Sequence, residues 1–253
     1  MFEEMIPTML DQKTLAANVA RVQERIAAAA ERAGRRVDEI TLVAVSKTHP
    51  IEAILAALAL GIRHFGENRV EEANPKIEAV RQWLVTHGCE TQLPEPVWHM
   101  VGHVQSRKAE DVIAGGYALV HSVDRVKLAR RLSRYALSVG RVQDILLEVN
   151  LSGEATKYGF DLETLVPAIE EIASQPGVRV RGLMTMAPLV DDPEKARPVF
   201  AGLRELRNLL AVQLPELDWH HLSMGMTDDF EVAIEEGATI VRIGRAIFGP
   251  RRE

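Results

Sequence analysis

Short apolar, β-branched runs recur near residues 40–46, 62–65, 97–101, 118–123, 144–150, 178–186, 218–223 and 239–243, and helix-like sequence follows each one. That alternation constrains the fold more than any other feature. Strands joined by crossover helices run parallel, and the helices must cover the sheet they connect. About eight such units in about 250 residues match the size and count of a (β/α)8 barrel, whereas an open doubly wound sheet usually stops near six strands and carries a dinucleotide fingerprint. No Gly-x-Gly-x-x-Gly follows the first run. Nothing in the sequence resembles a linker, so residues 1–253 read as a single domain.

Ahead of the first strand, Leu15, Val19, Val22, Ile26 and Ala33 recur at helical spacing and Gly34 suits a left-handed cap, which predicts an additional N-terminal helix. Three further helices show their ends: Ser122 or Asp124 to Gly140, Asp161 to the Gln175-Pro-Gly177 break, and Thr227 or Asp228 to Gly237. Pro75 and Pro198 fall inside helical sequence and should each kink a helix or mark a later start. The stretch 85–96, with Gly88, Pro94 and Pro96, reads as a surface loop.

Composition excludes several functions. A formal charge of −6, with arginines interleaved among glutamates, argues against a broad nucleic-acid footprint. The acidic start Met1-Phe-Glu-Glu-Met5 is unlike a signal peptide, and the longest apolar run, Ala53 to Ile62, is too short to span a bilayer. The single cysteine, Cys89, has no partner for an intrachain disulfide, which fits a cytoplasmic setting.

In a parallel barrel the carboxyl ends of the strands converge on one face, and there the polar residues cluster: Lys47, Asn68, His103, Ser122, Asn150, Ser223 and Arg242. Lys47 ends the run Thr41-Leu-Val-Ala-Val-Ser-Lys47. An amine at a buried strand end either snorkels to water or loses its proton and attacks a carbonyl to form a Schiff base. Near the C-terminus, Leu222-Ser-Met-Gly-Met226 and Val241-Arg-Ile-Gly244 have the form of the phosphate pocket that barrels build after strands seven and eight. Gly225 and Gly244 also suit simple tight turns. Arg242 alternates with Val241 and Ile243, so it points into the barrel if those two face the helices, where a ligand or a buried carboxylate would have to accept its protons. An amine, an anion cradle and an inward arginine together suit pyridoxal 5′-phosphate (PLP). The aldehyde would lie at Lys47, the phosphate at Ser223 and Gly244, and the pyridine nitrogen at Arg242. An arginine there cannot give up a proton, which leaves the ring a weak electron sink and favours holding over carbanion chemistry.

The chain resembles, over nearly its whole length, the pyridoxal phosphate homeostasis proteins, single-domain relatives of the alanine racemase barrel. The matching motifs are Val43-Ala-Val-Ser-Lys-Thr48, His64-Phe-Gly-Glu-Asn68, Trp98-His-Met-Val-Gly102, His121-Ser-Val-Asp124, Gly182-Leu-Met184, Leu222-Ser-Met-Gly-Met226 and Val241-Arg-Ile-Gly244. The resemblance implies that Lys47 carries the cofactor, Asn68 lies beside its ring, Ser223 and Gly244 bind its phosphate, and Arg242 meets the ring nitrogen. It also implies intracellular PLP homeostasis, with PLP-dependent apoenzymes as possible recipients, and a monomer is expected. Two positions depart from the family pattern: His49 stands where a second lysine is common, and Arg245 where a Thr or Ser follows the last phosphate glycine. Arg245 either adds a charged phosphate contact or supplies only its backbone amide. Lys157 matches another lysine common in the family.

The alternative is a PLP-dependent amino acid racemase of low activity. Racemisation needs a second acid/base group on the opposite substrate face. Of the tyrosines, Tyr117 precedes a strand and Tyr135 lies within a helix, leaving Tyr158 as the rim candidate. An aldolase using Lys47 alone leaves the phosphate pocket unexplained. A metal hydrolase would need His220 and His221 to share an ion, which strand alternation forbids.

Overall fold

The structure, a computed structural model, describes residues 12–153 and 158–250. Eight parallel strands close into a barrel in chain order: β1 (Thr41–Val45), β2 (His64–Glu67), β3 (Val97–Met100), β4 (Leu119–Val123), β5 (Gln143–Glu148), β6 (Val178–Met184), β7 (His221–Ser223) and β8 (Ile240–Ile243). β8 returns to β1 with Leu42 opposite Val241 and Val43 opposite Arg242. The (β/α)8 reading of the sequence therefore holds, strand by strand.

Alternation sorts each strand into two faces. Val43, Val101, Leu119, Leu146, Met184 and Ile240 form one apolar cluster, inside the barrel. Ala44, Phe65, Met100, Val120, Leu147, Leu183, Leu222, Val241 and Ile243 belong to a second, larger core shared with the helices. These helices are α1 (Gln12–Arg32), α2 (Ile51–Ala59), α3 (Val70–Thr91), α4 (Ala109–Gly115), α5 (Val126–Ser138), α6 (Leu162–Ala173), α7 (Arg197–Gln213), α8 (Phe230–Glu235) and α9 (Arg245–Phe248).

The predicted N-terminal helix is α1. Its stripe Leu15, Val19, Val22 and Ile26 is buried, and Gly34 follows it at φ +63°. α1 packs on α8 and α9. Asn18 donates to the Ile247 carbonyl at 3.0 Å, Arg25 pairs with Glu231 at 2.7 Å, and the Arg25 guanidinium lies 4.5 Å from the centre of the Phe230 ring. The short helices α8 and α9 cannot cover the β8–β1 seam alone, and α1 supplies the missing outer layer.

Two expectations need correction. The segment 85–96 is not a loop throughout, because α3 continues to Thr91 and ends on Gln92 in the left-handed region at φ +53°. A single Gly88 weakens a helix by only about 1 kcal/mol, and Trp83 stacking on His87 at 4.6 Å runs past the expected break. The five residues from Gln92 to Pro96 suffice to reach β3. The expected boundary at Ser122 or Asp124 also shifts, since Ser122 is inside β4 and α5 begins at Val126. Pro75 lies within α3, while Pro198 marks a later start, as the second residue of α7. Asp161 caps α6 as expected, accepting from the Thr164 amide at 2.7 Å. Asp161→Ala should therefore cost about 1 kcal/mol in denaturant unfolding.

Candidate functional site

The carboxyl ends of β1, β8 and β7 are neighbours, and they gather most of the residues singled out above. β8 places Arg242 inside the barrel, because Val241 and Ile243 face the helices. The residue is 5% exposed, its guanidinium donating from Nη1 to Ser223 Oγ at 2.6 Å and from Nη2 to the Thr185 carbonyl at 3.1 Å. The acceptors expected for it were a ligand or a carboxylate, whereas those present are a hydroxyl and a carbonyl, neither of them charged. Burial lowers the Arg242 pKa to about 10, opposed by the nearby charges of Glu148 and Asp229. The residue is still a cation at neutral pH.

Ser223 ends β7 and is fully buried between Arg242 and His121. The turn after it depends on Gly225. Its φ is +89°, and a Cβ there would lie 2.6 Å from the Ala233 Cβ. A glycine thus lets the turn lie directly on α8. Asp229 holds the turn by accepting from the Met226 amide at 2.6 Å, and burial raises its pKa. Gly244 closes against β1, where a Cβ would sit 3.1 Å from the Val45 carbonyl. The Arg245 guanidinium engages the Asp228 carboxylate, and the Ala246 amide reaches Thr227 Oγ1 at 3.4 Å.

Lys47 follows the last residue of β1 by two positions. The ladder to β2 runs past Val45, since the Ser46 amide still bonds the Gly66 carbonyl at 3.0 Å. Val43 and Val45 face the lumen. Continued alternation puts Lys47 on the lumen side and Ser46 on the helix side. Behind it lies a buried polar network that sequence reading missed. Glu67 Oε1 accepts from Ser46 Oγ at 2.8 Å and from Lys76 Nζ at 2.9 Å. Lys76 also donates to the Ser46 carbonyl at 3.1 Å and to Glu72 at 2.9 Å, and Glu72 accepts from the Thr48 amide at 2.5 Å. Thr48 is held at φ +65°, an uncommon angle for a non-glycine residue. The turn that carries Lys47 is thereby tied to α3 on both sides. His49 lies tilted against Phe248 with ring centres 5.0 Å apart.

Asn68 directly follows β2, and the segments after β2 and β3 approach closely there. A Cβ on Gly102 would fall 2.3 Å from the Asn68 carbonyl oxygen. A cleft of about 380 Å³ adjoins Asn68 and is lined also by Arg69, His103, Arg107 and Lys108. Farther round the mouth, Ser122 Oγ donates to the Gly102 carbonyl at 2.5 Å, and Asn150 accepts from Ser152 Oγ at 2.9 Å, both local structural bonds. Tyr158 reaches the rim as expected, its ring stacked on His103 at 3.6 Å, with His103 Nδ1 3.3 Å from Asp124. Tyr117 is buried against Asn74 at 2.9 Å. Lys157 lies outside the described residues.

Glu148 is a second residue that sequence reading passed over. It is 2% exposed, at the end of β5, and its Oε2 has no hydrogen-bond partner among the described residues. Burial, then the charge of Asp124, raises its pKa to about 7, with Arg242 and Arg125 opposing. The folded state thus keeps a proton that the unfolded chain has released, so stability falls as pH rises from about 4.5 to about 7. Glu148→Gln removes that dependence and should stabilise the protein at pH 8 by up to about 3 kcal/mol, with little change at pH 4.5. Denaturant unfolding at the two pH values tests this.

The histidine pair was misjudged in its geometry. His220 precedes β7, so alternation does not separate the two, and the His220 and His221 rings meet edge to face at 4.8 Å. No group of three His, Cys, Asp or Glu side chains among the described residues could hold a metal ion. Nor is any described helix long and apolar enough to cross a membrane.

Comparison with known proteins agrees with this fold. The family model described as "Alanine racemase, N-terminal domain" matches residues 10–252. A protein of Aquifex aeolicus (strain VF5) named pyridoxal phosphate homeostasis protein is 44% identical over 238 residues, 92% of this chain and 97% of its own. The crystal structure of an unknown protein from Bifidobacterium adolescentis aligns with a TM-score of 0.86 at 36% identity, covering 96% of this chain and 99% of that one. The structure of PipY from Synechococcus elongatus PCC7942 with PLP bound aligns with a TM-score of 0.77 at 36% identity, covering 93% of this chain and all of its own. On these matches the chain belongs to the pyridoxal phosphate homeostasis protein family, built on the alanine racemase N-terminal domain.

Proposed function

We propose that this protein binds PLP at the barrel mouth and serves intracellular PLP homeostasis, holding the cofactor as a Schiff base on Lys47 without strong catalysis. One observation carries the reading: β1 places Val43 beside Arg242 on β8, and Arg242 in turn grips Ser223 on β7, so an amine, an inward cation and a phosphate turn share one end of three adjacent strands. The residues fit the ligand. Its phosphate suits the Ser223 hydroxyl and the turns at Gly225 and Gly244, its pyridine nitrogen suits Arg242, its ring suits Asn68, and its aldehyde suits Lys47 with loss of one water. Arg245 contributes its backbone, since its guanidinium is engaged by Asp228. Bound PLP would supply an electron sink, and Arg242 weakens that sink by withholding a proton from the ring nitrogen. The names of the relatives and the PLP-bound PipY structure support the ligand. PLP-dependent apoenzymes are the partners this reading implies, with cytoplasmic placement and a monomeric protein.

A low racemase activity is the second reading, favoured by Tyr158 standing at the mouth against His103. Absorbance on adding PLP tests the first reading, with a new band near the visible expected. Exchange of α-deuterium in D- and L-amino acids separates the two: a binder leaves the label in place, and rapid loss would establish the racemase.

A further inference from the structure

A chain of hydrogen bonds crosses the barrel from its base to the proposed phosphate site. His64 Nδ1 lies 2.9 Å from His99 Nε2, His99 Nδ1 lies 2.9 Å from His121 Nε2, and His121 Nδ1 lies 2.8 Å from Ser223 Oγ. The rings come from β2, β3 and β4, and the last bond spans the lumen to β7. His64 borders a cleft of about 320 Å³ at the base, formed with Thr41, Leu42 and Ile62. His99 and His121 are buried, and burial lowers the pKa of His99 to about 3 and that of His121 well below its ordinary value, with neighbouring rings and Arg242 adding to the effect. Burial also lowers the pKa of His64, so at pH 8 each ring is neutral and carries one proton.

Such a chain has only two consistent proton arrangements. Arg242 always donates, and it occupies one lone pair of Ser223 Oγ. Among the described residues the other partner of that oxygen is His121. With no further acceptor in reach, the hydroxyl donates to His121 Nδ1, which puts the three ring protons on Nε2. If an anion accepts the hydroxyl's hydrogen bond instead, Ser223 Oγ is free to accept from His121 Nδ1–H, and the same logic moves the protons of His99 and His64 to Nδ1.

We propose that His64, His99, His121 and Ser223 form a proton relay whose direction is set by an anion on Ser223. The inference rests on the reading of Ser223 as a phosphate ligand. Both arrangements hold four protons, one on the hydroxyl and three on the rings. Conversion takes one proton in at the mouth and releases one from His64 at the base, so the count balances. The relay makes Ser223 a full donor to the anion while keeping its bond to Arg242, and it transmits occupancy of the mouth to the opposite end of the barrel.

Ring-nitrogen NMR of histidine-labelled protein tests this directly, because the two tautomers have distinct 15N shifts. The probe is pyridoxine 5′-phosphate, which has the ring and phosphate but no aldehyde, with inorganic phosphate as a second ligand and binding followed separately by absorbance or fluorescence. The expected result is a joint shift of His64, His99 and His121 from Nε2–H to Nδ1–H on saturation. In H99F, His121 should still shift while His64 no longer responds. Binding without any tautomer change, rings in mixed tautomers, or an unaltered His64 response in H99F would overturn the relay and leave the cofactor reading intact. Absence of binding by either phosphate would overturn both. If H99F does not fold, the wild-type titration decides alone.

Discussion

Lys76→Met is expected to destabilise the protein by about 3–5 kcal/mol, the usual consequence of removing one partner from a buried ion pair. Glu67 is fully buried, and Lys76 is its counter-charge at 2.9 Å. Even with Lys76 present, burial holds the Glu67 pKa above its ordinary value. Without it that carboxyl must stay protonated or remain an uncompensated charge, so the loss should grow as pH rises from 5 to 8. Adding Glu67→Gln to Lys76→Met should recover much of the loss, because no buried charge then remains. The variant also frees the Ser46 carbonyl and one side of the Lys47 turn. Denaturant unfolding of the single and double variants measures this, and a loss under about 1 kcal/mol at both pH values would contradict it.

Acidification below pH 6.5 should destabilise the protein before its surface carboxylates are neutralised. Burial lowers the pKa of His99 to about 3 and of His221 to about 4, and takes His121 well below its ordinary value. The unfolded chain binds protons at these residues near pH 6.5, and the folded state does not. Stability is thus fully present above pH 6.5 and is lost as pH falls, at up to about 4 kcal/mol per pH unit for three histidines. Glu148, Glu67 and Asp229 act in the opposite direction, since their raised pKa values favour the folded state at low pH, and Glu148 alone brings the slope to about 3 kcal/mol per unit. A domain at the lower end of ordinary stability, roughly 5 kcal/mol, would not survive far below pH 5. Unfolding free energies at pH 7, 6 and 5 test this, and a flat profile would show that the histidines are not held neutral.

What the sequence disclosed and what it hid divide along one physical line. Strand periodicity, the cap at Asp161 and the glycine turns are local patterns, and all are visible within a few residues. Alternation in β8 was enough to point Arg242 inward, because Val241 and Ile243 are apolar on both sides of it. The Ser46–Glu67–Lys76 network and the histidine chain join residues on different elements, up to 102 positions apart in the case of His121 and Ser223. No spacing rule reaches across a barrel. A signal did exist in the polar residues at alternate lumen positions of apolar strands, namely His99, His121 and Glu148, since buried polar groups require partners. The helical continuation through Gly88 was hidden for the opposite reason: a weak local breaker was overruled by packing.

Borohydride reduction of the PLP-loaded protein, followed by peptide mass mapping, tests the central claim most directly. The account predicts a reduced pyridoxyl group on Lys47 alone, lost in Lys47→Ala, while that variant still binds the phosphate ester non-covalently through Ser223 and Arg242. A label on another lysine, or undiminished labelling of Lys47→Ala, would contradict it.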